Sequence, residues 1–197
     1  MMGGILPSEK TYIRSGPWEL FKKRIPWLLF LMVTATFTGV IITSFEDALA
    51  AQVALTAFIP MLMDTGGNSG SQASVTVIRA LSLDELHLSD LARVVWKEIR
   101  TAVLCGFVLS VVCFFKIWLV EGMLLGNAGV TPMVNLVVSL ALFSTVLIAK
   151  IVGAVLPMAA KALKLDPAVM ASPFITSIVD TLSLLVYFLF AKMLLGV

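Results

Sequence analysis

From about residue 26 onward the chain is a succession of apolar stretches, most of them near or above the roughly 20 residues a helix needs to cross a hydrocarbon core about 30 Å thick. Lipid offers no hydrogen bonds to a bare backbone, so such stretches must form helices. Charged residues make up only 13% of the 197 and mean hydropathy is +1.02, which leaves no length for a sizeable soluble domain. The expected fold is all-α: a polytopic membrane protein with five transmembrane helices and a short N-terminal interfacial helix. Residues 1–25 form the cytoplasmic or interfacial segment and residues 26–197 the five-helix transmembrane domain.

The sequence places the spans at about 26–44, 48–78, 101–120, 132–157 and 168–195. Ahead of the first, Trp18-Glu19-Leu20-Phe21-Lys22-Lys23-Arg24 alternates apolar and aromatic groups with cations, the pattern of a helix lying in the interface. No short apolar core with a small-residue cleavage site precedes it, so the first span is expected to insert the chain. Arg79 to Arg100 reads as a polar, partly helical loop, and Glu121 to Thr131 as a turn. Cys105 and Cys113 share one apolar stretch and suit packing better than a disulfide or a metal pair.

Eleven of the fourteen Lys and Arg residues fall before the first span, between the second and third, or between the fourth and fifth. The positive-inside rule then puts the N-terminus in the cytoplasm and the C-terminus on the opposite side of a cell membrane crossed several times. Lys116, Lys150 and Lys192 lie within or near spans and are expected to snorkel toward an interface, with Lys150 or Lys116 alternatively tying Asp64 and its helix to a neighbour. Net charge is only +2 and the basic residues form no stripe with aromatics, which argues against a nucleic-acid partner.

The second span carries the anomaly. After Met63 comes Asp64-Thr65-Gly66-Gly67-Asn68-Ser69-Gly70-Ser71-Gln72, without a large apolar side chain. An ionised carboxylate at mid-bilayer costs at least about 2.5 kcal/mol, so Asp64 should face protein or water. Each glycine weakens a helix by roughly 1 kcal/mol relative to alanine, which makes a break or kink here an expectation. Should the helix continue, Asp64, Gly67, Asn68 and Ser71 share one face and form an oxygen-bearing stripe. In the fifth span Thr176, Asp180, Ser183 and Tyr187 form a second polar stripe, with Asp180 its only charge. Ser172 and Pro173 lie toward the cytoplasmic end, where they could loosen the helix. Asp166 reads either as an acid at the cytoplasmic mouth or as a helix N-cap ahead of Pro167.

The deep polar groups are hard oxygen donors, and the single histidine, His87, sits in a loop. Zinc and copper are disfavoured. Magnesium keeps several waters and takes one or two carboxylates, which suits a sparse, wet, acidic path; calcium, manganese and cobalt stay open. Two acids in a membrane also admit an intramembrane aspartyl protease, but neither acid stands in the Tyr-Asp or Gly-x-Gly-Asp setting of those enzymes, and no catalytic function is expected.

The run Pro60-Met61-Leu62-Met63-Asp64-Thr65-Gly66-Gly67-Asn68-Ser69-Gly70-Ser71-Gln72-Ala73-Ser74, with Val77-Ile78-Arg79-Ala80-Leu81, resembles the second transmembrane helix of the MgtE family of magnesium transporters. So do Lys23-Arg24-Ile25-Pro26-Trp27-Leu28-Leu29, Asp166-Pro167-Ala168, Ser172-Pro173, Asp180 and Tyr187 resemble other parts of that family. The resemblance implies a homodimer with five membrane helices per subunit, whose second and fifth helices line a pore for hydrated magnesium. It implies that Asp180 is the central ion-binding aspartate, Asp166 an acid near the cytoplasmic end, Ser172 a pore position, and Gly67 and Ser71 pore-side positions. Some family members have glycine where this chain has Asp64. The likeness covers the transmembrane domain and not the cytoplasmic N-terminal and CBS domains of typical members. Channel-like flux and sodium-coupled magnesium exchange are both compatible with it.

Overall fold

The computed structural model describes residues 16–170 and 173–196. In chain order its α-helices are α1 (Pro17–Ser44), α2 (Glu46–Ala51), α3 (Ile59–Ser82), α4 (Leu91–Ile117), α5 (Pro132–Ala162) and α6 (Pro173–Leu195), with no strand among the described residues. Short 3-10 turns at Val53–Phe58, Leu88–Asp90 and Pro167–Met170 precede α3, α4 and α6, and a wider π-helical turn, Trp118–Leu124, extends α4.

α5 forms the centre. Thr131 starts it by accepting a hydrogen bond from the Val134 amide at 3.3 Å, with Pro132 in the first turn. Small and β-branched residues such as Val134, Val138, Ala141, Ala149 and Ala154 then bury its face against α3, α4 and α6. α1 buries no residue and packs chiefly on α6.

Side-chain registers fix the helix directions. Gly66 faces Thr145, Gly70 faces Ala149, and the Lys161 Nζ donates to the Leu81 carbonyl at 3.3 Å, so α3 and α5 run parallel. Gly70 meets Ile175 while Gly66 meets Val179 and Ser183, so α6 runs opposite to α3. Phe30 stacks on Phe174, Thr34 donates to Ser177 at 3.3 Å, and Phe45 stacks on Phe188, so α1 runs parallel to α6. The Asn135 amide donates to the Phe114 carbonyl and Gly106 meets Phe143, so α4 opposes α5. The five long helices therefore alternate in direction. Lys22, Lys23, Arg24, Arg79, Arg93, Lys97, Arg100, Lys161 and Lys164 gather at one end of the bundle, and Glu46, Asp47 and Glu121 at the other.

Several boundaries differ from the sequence expectation. The interfacial helix is not separate: α1 runs through Pro26 without a break and crosses the expected boundary at residue 25. Proline removes one donor, but the Lys22 carbonyl it leaves belongs to an exposed residue where water or headgroups can serve it. The span expected at 48–78 divides into α2, a 3-10 turn and α3. α3 itself is continuous through Asp64–Gln72, because its glycines sit where neighbouring helices press closest and tight packing offsets their low helix propensity. α4 begins ten residues before the expected Thr101 and absorbs half of the loop. The fifth span starts with a 3-10 turn at Pro167–Met170, and its helix is described from Pro173 onward.

Four helical segments are long and apolar enough to cross a membrane: Pro17–Ser44, Leu88–Leu124, Pro132–Ala162 and Pro173–Leu195. α3 is not among them, since the polar run from Asp64 to Gln72 lowers its hydropathy.

Candidate ion site

The two faces of α3 place the site. Gly66, Gly67 and Gly70 are buried against α5 and α6. A Cβ at Gly66 would sit 2.8 Å from the Thr145 methyl and 2.9 Å from Val179; one at Gly67 would sit 2.7 Å from the Thr176 methyl; one at Gly153 of α5 would fall on the Gly70 carbonyl. Nothing larger than hydrogen fits between these helices. The opposite face turns Asp64, Asn68 and Gln72 outward, with Ser71 half-buried at its edge.

Asp180 lies across the α3–α6 contact, half-buried, and is close enough to Asp64 for the two charges to repel. Its Oδ1 atom is buried and has no hydrogen-bond partner among the described residues. Buried carboxylate oxygens are costly unless paired, so this oxygen is an open acceptor at the level of the α5 midpoint. Thr176, one turn away, spends its hydroxyl on the Pro173 carbonyl at 2.8 Å and presents its methyl to Gly67.

The rest of the α6 stripe behaves differently. Ser183 and Tyr187 are fully buried. The Tyr187 hydroxyl donates to the Leu55 carbonyl at 2.9 Å and ties α6 to the 3-10 turn before α3. Leu55, Leu62, Ile117, Val134, Tyr187 and Phe188 form an apolar core at that end. The stripe is thus open at Thr176 and Asp180 and sealed below them.

Asp166 is exposed, and its Oδ1 accepts from the Ala168 amide at 2.9 Å, a capping contact at the turn that leads to α6. Ser172 lies outside the described residues. His87 is in the loop as expected, where its amide donates to Asp90 at 3.1 Å.

Asp64 opens on a cavity of about 580 Å³ between α3, α4 and α5, which Asn68, Gln72, Cys105, Val108 and Lys150 also line. Of the two sequence readings of Lys150, a snorkelling cation or a partner for Asp64, the structure favours the second: Lys150 is 6% exposed and shares this cavity with Asp64. Lys116 and Lys192 are exposed. Among the described residues no three His, Cys, Asp or Glu side chains converge on one point.

The profile of the MgtE family, described as a divalent cation transporter, matches residues 59–190. The chain is 39% identical over 166 residues to the magnesium transporter MgtE of Bacillus subtilis, covering 84% of this chain and 35% of that protein. It is 34% identical over 194 residues to the magnesium transporter MgtE of Thermus thermophilus, covering 98% and 41%, and 28% identical over 190 residues to that of Enterococcus faecalis, covering 96% and 40%. The chain thus spans between a third and a half of the length of these relatives. The matched stretch holds both polar helices, α3 from Ile59 and α6 as far as Phe190, and with them Asp64 and Asp180: the chain belongs to the MgtE family of divalent cation transporters.

Proposed function

We propose that the chain forms the membrane pathway of a magnesium transporter, working as a homodimer in which α3 and α6 of each subunit line the path. The observation that carries this reading is the buried Oδ1 of Asp180, without a hydrogen-bond partner among the described residues and set near a second carboxylate on the neighbouring helix. Magnesium holds its waters tightly and takes few protein carboxylates, and this sparse donor set suits a hydrated ion held through its water. Manganese, cobalt and calcium share the oxygen preference and are the competitors to test. Asp180 is the central ligand, approached past Thr176; Asn68, Ser71 and Asp64 line the α3 side, Gly67 keeps the two helices close, Asp166 stands toward the cytoplasmic mouth, and the family resemblance alone makes Ser172 a pore position.

In this reading α3 is the fifth crossing, its polar face turned to the path rather than to lipid. The alternation of the long helices supports that; the N-terminus then lies on the side of the basic end and the C-terminus opposite. Basic residues favour the cytoplasmic face, so the membrane potential drives a cation inward. Each elementary charge gains about 2.3 kcal/mol per 100 mV, and a divalent ion gains twice that.

The test is magnesium uptake into proteoliposomes holding the full chain, with an inside-negative potential and no sodium on either side. Uptake above that of empty vesicles is expected, inhibited by a hydrated-magnesium mimic such as cobalt hexaammine. No uptake in the absence of sodium, with uptake restored by a sodium gradient, would replace passive flow with exchange.

A further inference from the structure

Lys150 is the one charged side chain that the bundle both buries and leaves without a hydrogen bond or ion pair among the described residues. It stands on α5 between Ala149, which meets Gly70, and Gly153, whose hydrogen alone fits against the Gly70 carbonyl. Its backbone is therefore held by a close helix contact, and its long side chain lines the cavity of about 580 Å³ that Asp64, Asn68 and Gln72 line from α3. Asp64 is the only acid and Lys150 the only base in that lining.

We infer that Lys150 is a tethered counter-cation for Asp64, and so a determinant of how tightly the path binds its divalent ion. A buried charge is tolerated only when an opposite charge or water serves it, and this cavity supplies both. The volume holds several waters, so the ammonium and the carboxylate attract one another through water rather than by direct contact. An arriving divalent cation competes with the ammonium for Asp64 and is repelled by it. The result is a site whose net charge is zero before the ion arrives. Asp64 then helps to hydrate and pass the ion without trapping it, and the full negative charge is left to Asp180. Lysine suits this role: its ammonium is a compact charge on a flexible stem and can withdraw as the ion passes.

The inference rests on the proposed ion path and is tested by a double-mutant cycle with two readouts. Initial magnesium uptake against external magnesium, and the thermal unfolding midpoint, are measured for the wild-type chain, Lys150→Met, Asp64→Asn and the Asp64→Asn/Lys150→Met pair, with Lys150→Arg as the charge-preserving control. Lys150→Met should lower the half-saturating magnesium concentration at least about threefold, a shift of the size one altered charge contact makes. Asp64→Asn should raise it by a similar factor, because the ammonium then stands uncompensated. The pair should return to within about twofold of wild type, and Lys150→Arg, which keeps the charge, should shift half-saturation less than Lys150→Met does. Half-saturation unmoved by Lys150→Met, or moved by the same factor whether or not Asp64→Asn is also present, would overturn the assignment. Should Lys150→Met prove too unstable to assay, recovery of the unfolding midpoint in the pair supports the coupling, and no recovery overturns it. A wild-type chain that passes no magnesium would overturn the transport reading and the affinity claim together, whereas flux lost in Asp180→Asn with Lys150→Met silent would overturn only the role of Lys150.

Discussion

Asp64 and Asp180 are the same residue type on adjacent helices, near enough to feel each other's charge, yet their surroundings oppose one another. Asp180 is half-buried, with an oxygen that has no hydrogen-bond partner among the described residues and no basic side chain on its polar stripe. Asp64 is exposed to a roomy cavity that also contains a buried lysine. A carboxylate's charge is fixed by its chemistry, but its use depends on what the neighbouring helices supply. Where no basic group compensates it, the carboxylate is free to serve as the ligand we propose. Where an ammonium shares its cavity, it is already half-occupied.

The largest expected effect breaks the comparison outright. Asp180→Asn keeps shape and removes charge, and magnesium uptake should fall at least about tenfold, the factor that only about 1.4 kcal/mol of lost stabilisation produces. Asp64→Asn should cost less, and a greater loss at Asp64 than at Asp180 would invert the ranking. Next in size is Gly67→Val, which tests the contact between the two polar helices. The Thr176 methyl already occupies the space a Cβ would need, and Thr176 is held by its bond to the Pro173 carbonyl. Overpacking of this kind costs typically about 1–3 kcal/mol, so uptake or the unfolding midpoint should drop while the wild-type ion preference is kept. Unchanged values of both would mean that α3 and α6 are not closely pressed when the path works.

A smaller effect separates the two halves of the α6 stripe. Tyr187→Phe removes the hydroxyl that binds the Leu55 carbonyl and should lower stability by about 1 kcal/mol, with uptake within about twofold of wild type. A large loss of flux with stability intact would extend the path below Asp180, into what is packed core in this structure.

Much of this arrangement is legible in the sequence because membrane helices announce themselves by length. The α5 start at Thr131-Pro132 and the polar faces of α3 and α6 follow from spacing and capping alone. Other features depend on tertiary contact. The glycines of α3 read as breakers until α5 and α6 are seen to press on them, and then they hold the helix in place. Ser183 and Tyr187 share a face with Asp180, but the 3-10 turn at Leu55 covers them, which no periodicity reveals. Lys150 reads in the sequence either as a snorkelling cation or as a tie to Asp64, and nothing local decides between the two. Its neighbours in sequence are apolar, and only the gap between α3 and α4 turns it from a snorkelling residue into a buried one.

The smallest expected effect concerns Asp166, whose two sequence readings separate by substitution. Its carboxylate accepts from the Ala168 amide, a contact an asparagine oxygen can also make. Asp166→Asn therefore removes the charge and keeps the cap, whereas Asp166→Ala removes both. If the charge gathers cations at the mouth, both variants should lower uptake at low magnesium and low ionic strength by up to about twofold, and the difference should fade near about 0.15 M salt, where charges are screened beyond about 8 Å. If only the cap matters, Asp166→Asn should match wild type under every salt condition, and Asp166→Ala alone should lose about 0.5–2 kcal/mol of stability. The exposed position of Asp166, unlike the half-buried setting of Asp180, limits the first effect to attraction at a distance. A strong, salt-independent loss in Asp166→Asn would instead make the mouth a binding site in its own right, and would move part of the ion's coordination away from the pair of carboxylates at the centre.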